Sequence, residues 1–192
     1  MRQLLILSIP INNVILDGAR LGTKLFEVLK FDCKPFSLYK GRSEEALAEV
    51  APYLVALKEK PEFDKWLFEN GWGNSWGIFI SSNASFEELH KHFRKFLLVK
   101  TEDAQELYFR YYDPRVLRSF LLTCTSDQLT EFFGPVQKYI MEDEDPNYAL
   151  IFSLEYGLLK RNRINLTQGI EYSLLPAEKE RKNTVIDSDT IV

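Results

Sequence analysis

Histidine and cysteine are scarce in this chain, two of each among 192 residues. Cys33 and Cys124 stand apart, so no Cys-x-x-Cys pair exists to found a zinc or redox centre. Both read as buried free thiols, which fits a reducing compartment. His90 and His92 are two positions apart, about 200° around a helix, and cannot converge on one metal ion. Neither has a serine or cysteine beside it in a nucleophile motif. A basic excess is also missing, since 24 Lys+Arg face 28 Asp+Glu for a formal charge of −4. Binding to a phosphate backbone needs the opposite balance, so nucleic acid is not expected as a partner. No apolar run approaches the roughly 20 residues of a membrane-spanning helix. The start, Met1–Pro10, is a short apolar run with no small-residue cleavage site after it. A soluble, cytoplasmic protein without membrane insertion is expected.

What is present is ordinary globular material with an unusual share of rings. Hydrophobic residues make up 45%, charged residues 27% and aromatics 14%, enough for a core of conventional size. The first two thirds alternate strand and helix signals. Asn13–Leu16 and Ala51–Leu57 read as strands, as does Gly77–Ser81. Leu21, Leu25, Val28 and Leu29 recur at helical spacing, as do Phe63, Trp66 and Leu67, with Gly71 expected as the C′ stop. Ser43 is expected to cap a short helix over 44–50. Ser85 with Glu88 and Thr125 with Gln128 are spaced as capping boxes, and Asp113-Pro114 as a cap followed by proline at the first helical position. Leu107–Tyr112 alternates like a strand. Past Gly134-Pro135 the pattern loosens: residues 148–159 fit either a strand or a helix, and Glu142–Pro146 reads as a solvated acidic turn. The expected fold is α/β or α+β, a mixed β-sheet with covering helices over residues 1–135. A smaller, less regular C-terminal lobe is expected over 136–175 and a mobile tail over 176–192.

Few groups are spaced for chemistry. Gly71-Trp72-Gly73-Asn74-Ser75-Trp76-Gly77 imitates a phosphate loop, but Trp76 occupies the third glycine's place and the order is helix before strand. A turn anchored by two tryptophans is the better reading, and Trp72 and Trp76, if exposed, would suit a protein interface. The acidic run at 142–145 lacks the alternating ligands and glycine of a calcium loop. No metal, cofactor or catalytic residue is therefore expected. The most polar concentration is Arg110-Tyr111-Tyr112-Asp113-Pro114-Arg115. Arg115 falls in a first helical turn, where a cation opposes the macrodipole and needs a carboxylate or an external anion. Asp113 is placed to be that carboxylate, which makes an ion-paired hinge or a partner contact the expectation.

Several segments occur in a distinctive order: Val14-Ile15-Leu16-Asp17-Gly18-Ala19, Phe36-Ser37-Leu38-Tyr39, Ala51-Pro52-Tyr53-Leu54-Val55, Trp76-Gly77-Ile78-Phe79-Ile80, His92-Phe93-Arg94 and Phe109–Leu117. Together they resemble the bacterial type VI secretion adaptor proteins, or effector chaperones, over about residues 13–135. The resemblance implies a non-enzymatic cytoplasmic protein. Its partners would be a toxic effector held in the producing cell and the spike protein that carries the effector outward. It places Arg94, Arg110, Asp113 and Arg115 in family motifs without a catalytic role. The partner-binding candidates are these four residues with Trp72 and Trp76. The rival reading is a small hydrolase or nucleotide-dependent enzyme with a cleft around Arg110, Asp113 and Arg115, which would need a nucleophile, base or metal converging there.

Overall fold

Asn13–Asp17 (β1) lies near the middle of an antiparallel sheet and is buried at every residue. The computed structural model describes residues 10–41, 45–57, 60–100, 105–167 and 173–174. Strand β1 pairs with Pro52–Ala56 (β3) on one side and Gly77–Ser82 (β4) on the other. Phe36–Ser37 (β2) extends the β3 side. On the β4 side follow Val136–Glu142 (β7), Tyr148–Glu155 (β8), Leu158–Asn165 (β9) and Ser173–Leu174 (β10). The order is β10-β9-β8-β7-β4-β1-β3-β2. Every pairing is antiparallel, so the class is α+β. A separate two-stranded ribbon joins Leu98–Lys100 (β5) to Glu106–Tyr108 (β6).

Both faces of the sheet are covered, which explains why its central strands are apolar without alternation. Val14, Leu16, Phe79 and Ile140 point to one side. There they meet Gly18–Leu21 (α1), Leu25–Lys30 (α2) and Pro61–Gly71 (α3) through Leu21, Leu25, Val28, Phe63 and Leu67. Ile15, Ile78, Ile80 and Tyr139 point to the other. They meet Phe86–Arg94 (α4), Pro114–Leu121 (α5) and Ser126–Phe133 (α6) through Leu89, Phe93, Leu117, Leu121 and Phe132. Both capping boxes and the Asp113 cap form as spaced.

The structure departs from the sequence reading in a few places. Gly71 is the last residue of α3, and Trp72, at φ −66, ends it in extended backbone. The glycine is needed for space instead: a Cβ there would lie 2.9 Å from the Trp76 ring. The strand expected over 107–112 stops at Tyr108, because Tyr111 and Tyr112 are both buried as the chain turns toward α5. Residues 136–165, expected as part of a less regular lobe, form β7, β8 and β9 in the main sheet. The stretch 148–159 is strand on both sides of a Tyr156-Gly157 turn with positive φ at both residues, the two-residue hairpin geometry. Cys33 is buried and Cys124 half-buried, and both thiols are free. Ser43 and the tail at 176–192 lie outside the described residues.

Candidate functional site

One end of the sheet collects most of the polar groups that the core leaves unexplained. There β1 ends, β4 begins and β7 ends, because the antiparallel order brings Leu16 opposite Gly77 and Phe79 opposite Ile140. Asp17 is the last residue of β1 and the N-cap of α1, its carboxylate accepting from the Arg20 backbone N–H at 3.3 Å. Its own N–H donates to the Trp76 carbonyl at 2.7 Å. The side chain is fully buried, and its second oxygen accepts from the guanidinium of Arg110, a residue 93 positions away. A buried carboxylate without such a cation would be strongly disfavoured. The bond to Asp17 in turn holds Arg110 above its already high pKa.

Two residues beyond Tyr111 the same logic repeats. Asp113 caps α5 by accepting from the Arg115 backbone N–H at 3.0 Å, and it also takes Arg115 Nε at 3.0 Å and Nη2 at 2.6 Å. Burial alone would raise the Asp113 carboxyl. The Arg115 hydrogen bonds and the charges of Arg115 and Arg110 outweigh it and leave the group below its ordinary value. The cation in the first turn of α5 is thus held by its own cap, as expected. Asp17 and Glu142 are close enough to add to the field on Arg115. Tyr39 and Tyr112 lie within the field of the Asp17–Arg110 pair. Burial raises both phenols, so neither supplies a phenolate near neutral pH.

Glu142 completes this end of the sheet, and it corrects the sequence reading. Far from a solvated turn residue, it is buried at the end of β7. Its carboxylate accepts from the Gly73 N–H, from the Ser75 N–H at 2.7 Å and from Ser75 Oγ at 2.8 Å. Ser75 sits at φ +55, a left-handed conformation that this carboxylate compensates. Only the following residues behave as a turn: Glu144 is exposed beside Arg118 at 3.5 Å, and Asp145 accepts from the Asn147 N–H. Asp143 is paired with Arg163 Nε at 2.6 Å. The signal for Glu142 was present, because it follows Ile140 on the core-facing register of β7. Its donors, however, come from a loop 67 or more positions earlier.

The six candidate residues divide by position. Arg110, Asp113 and Arg115 share the rim just described. Trp72 and Trp76 flank the loop that Glu142 holds, but both are half-buried and packed on the core, so neither is an exposed anchor. Trp72 Nε1 donates to the Pro146 carbonyl at 2.8 Å, and the Trp76 ring lies 5.5 Å from Trp66. Arg94 is half-buried in the last turn of α4. His90 and His92 diverge, binding the Ser37 and Phe132 carbonyls at 2.8 and 2.9 Å. Among the described residues no three His, Cys, Asp or Glu side chains are placed to hold a metal ion. A cavity of about 10 Å³ lies between Trp72, Trp76 and Glu142, room for one water and no substrate. The arrangement can present two pre-ordered guanidinium groups, and it places no activated nucleophile between them.

Among the described residues no helix is long and apolar enough to cross a membrane. A family model described as "Domain of unknown function (DUF4123)" matches residues 14–131, from β1 into α6. No curated protein and no solved structure matches the chain.

Proposed function

The chain belongs to the DUF4123 family, which is associated with adaptors of type VI secretion effectors, and from that premise we propose that it is a non-enzymatic adaptor chaperone. It binds one effector in the cytoplasm of the producing bacterium and assists its loading onto the secretion spike. The observation that carries this reading is the family match over 14–131, which includes the Asp17–Arg110 and Asp113–Arg115 pairs. In both pairs the carboxylate is buried while the arginine side chain stays partly exposed, 43% for Arg110 and 48% for Arg115. An arginine already fixed by an internal carboxylate loses little further freedom when a partner closes on it, and arginine is among the residues that anchor interfaces. Arg110, Asp113 and Arg115 are therefore the first partner-binding residues to test, followed by Arg94. Trp72 and Trp76 contribute by shaping the loop beside them.

Co-expression with the toxin and the spike protein encoded beside it, followed by affinity capture and size exclusion, tests the reading. A stable complex with the toxin is expected, with both proteins more soluble together than apart. Capture of neither protein, together with turnover of a small substrate, would overturn it.

A further inference from the structure

The rim where β1 ends, β4 begins and β7 ends sorts its polar groups by depth. The acceptors lie inside: Asp17, Asp113 and Glu142 are all buried. The donors lie outside. Arg110 and Arg115 keep nearly half of their side chains in solvent, and Arg20, close to the Asp17 cap, is exposed. Arg20 Nη2 donates to the Asn74 carbonyl at 2.9 Å, which ties it to the loop that Glu142 holds. Asp113 takes Arg115 along its Nε–Nη2 edge, so the Nη1–Nη2 edge of the same planar group is left over. Arg110 spends Nη2 on Asp17. A guanidinium carries its N–H donors in a rigid fork and has no acceptor. Among the described residues no second acceptor takes the N–H groups that remain on Arg110 and Arg115. The charges nevertheless cancel. Asp17 faces Arg110, Asp113 faces Arg115 and Glu144 faces Arg118, while Glu142 and Arg20 add one charge of each sign. A rim with free donors and little net charge exerts no long-range pull on an acidic group. It suits neutral acceptors, which gain a hydrogen bond to a charged donor and have no charge of their own to desolvate.

We propose that the rim takes main-chain carbonyl groups of the cargo protein, met by the free edges of Arg110 and Arg115. The last turn of a helix supplies them, since its final carbonyls have no partner within the helix and point the same way, and cations are favoured at that end. An acidic side chain would instead add a charge that no cation of the rim is left to balance. The buried carboxylates have fixed the guanidinium planes in advance, so closure on a carbonyl end orders little that is not already ordered. This inference rests on the adaptor reading and names the chemistry of the cargo surface.

The test uses the full chain and the toxin encoded beside it. A lysine keeps the charge that each buried carboxylate needs but has no planar fork. Arg110→Lys with Arg115→Lys should therefore weaken capture by about tenfold or more at an unchanged melting temperature, the size of lost hydrogen bonds to charged donors. Arg161→Lys, on an exposed residue of β9, should leave capture as it was. With isotope-labelled toxin, the double variant should move main-chain carbonyl signals of the bound toxin and leave its side-chain carboxyl signals in place. Movement of carboxyl signals alone overturns the inference, as does full capture by the double variant. If the double variant fails to fold, the unaltered chain decides. Exchange of the Arg110 and Arg115 guanidinium hydrogens with water, read by nitrogen NMR, should slow by about tenfold or more in the complex. A captured toxin that leaves this exchange unchanged overturns the rim inference and spares the adaptor reading. No capture of the toxin by the unaltered chain overturns both.

Discussion

Asp113 holds two partners with one carboxylate, and two substitutions separate them. Asp113→Ala removes the cap, worth about 1 kcal/mol, and the Arg115 pair, which solvent screening limits to about 1 kcal/mol because Arg115 is half-exposed. Asp113→Asn keeps an oxygen for the Arg115 N–H and loses the charge and the half-exposed acceptor of Arg115 Nη2. Urea unfolding at pH 7 should therefore show a loss of about 1–2 kcal/mol for alanine and under about 1 kcal/mol for asparagine. Equal, negligible losses would contradict the assignment. The folded Asp113 carboxyl lies below its ordinary value, so its contribution is full above the unfolded value of about 3.9 and is lost as pH falls through the folded one. The stabilities of the unaltered and Asp113→Asn proteins should accordingly begin to converge as pH falls below about 4 and meet only below the folded value. Glu142→Gln is the companion test at the neighbouring carboxylate. It turns one acceptor of three N–H and O–H donors into a donor, at a cost of about 1–3 kcal/mol. Because the loop it holds carries Trp72 and Trp76, a red shift in tryptophan emission of the folded state should accompany the loss.

Local rules made much of each element legible, and only the assembled sheet could supply the rest. Ser85 with Glu88, Thr125 with Gln128 and Asp113 with Pro114 act within three residues, so spacing alone revealed them. Asp17 with Arg110 was invisible because 93 residues separate the partners and nothing in either segment fixes which strand ends adjoin. The same holds for Glu142 and its loop. Residues 148–159 were ambiguous because both faces of β8 are covered, which erases the polar half of a strand pattern. A further long-range contact fixes how α4 meets α6. His92 Nε2 donates to the Phe132 carbonyl, and the Gly134 cap at φ +45 lies so near that a Cβ would come within 2.5 Å of the His92 ring. Gly134→Ala should destabilise by about 2 kcal/mol or more, from the left-handed backbone and the clash together. Burial lowers the His92 pKa against the opposing effect of that hydrogen bond. Its contribution is therefore full above the unfolded value of about 6.5 and declines as pH falls below it. His92→Gln should flatten that part of the stability profile, and an unchanged slope would assign it elsewhere.

At the scale of the whole molecule, the family match and the folding unit do not coincide. The match ends at residue 131, and the sequence suggested a boundary at 135. Yet β7 is hydrogen-bonded to β4, and β8, β9 and β10 continue the sheet from it away from the centre. Tyr139, Met141, Leu150 and Phe152 enter one core, and Ile140, Ala149 and Ile151 the other. At roughly 2 kcal/mol for each of the six large side chains, their removal costs about as much as the whole ~5–15 kcal/mol net stability of a typical domain. Cutting at 135 also bares the edge of β4, whose Ile78, Phe79 and Ile80 are all buried, and unpaired apolar edges invite aggregation. It removes Glu142 as well, so the loop carrying Ser75 at positive φ loses the carboxylate that holds it. A fragment of residues 1–135 should therefore show no cooperative unfolding transition and should bind a hydrophobic dye. The full chain should unfold in one transition by both circular dichroism and tryptophan emission, since the two cores share every central strand. A fragment that melts cooperatively would show that β7 to β9 are an addition to a fold already complete.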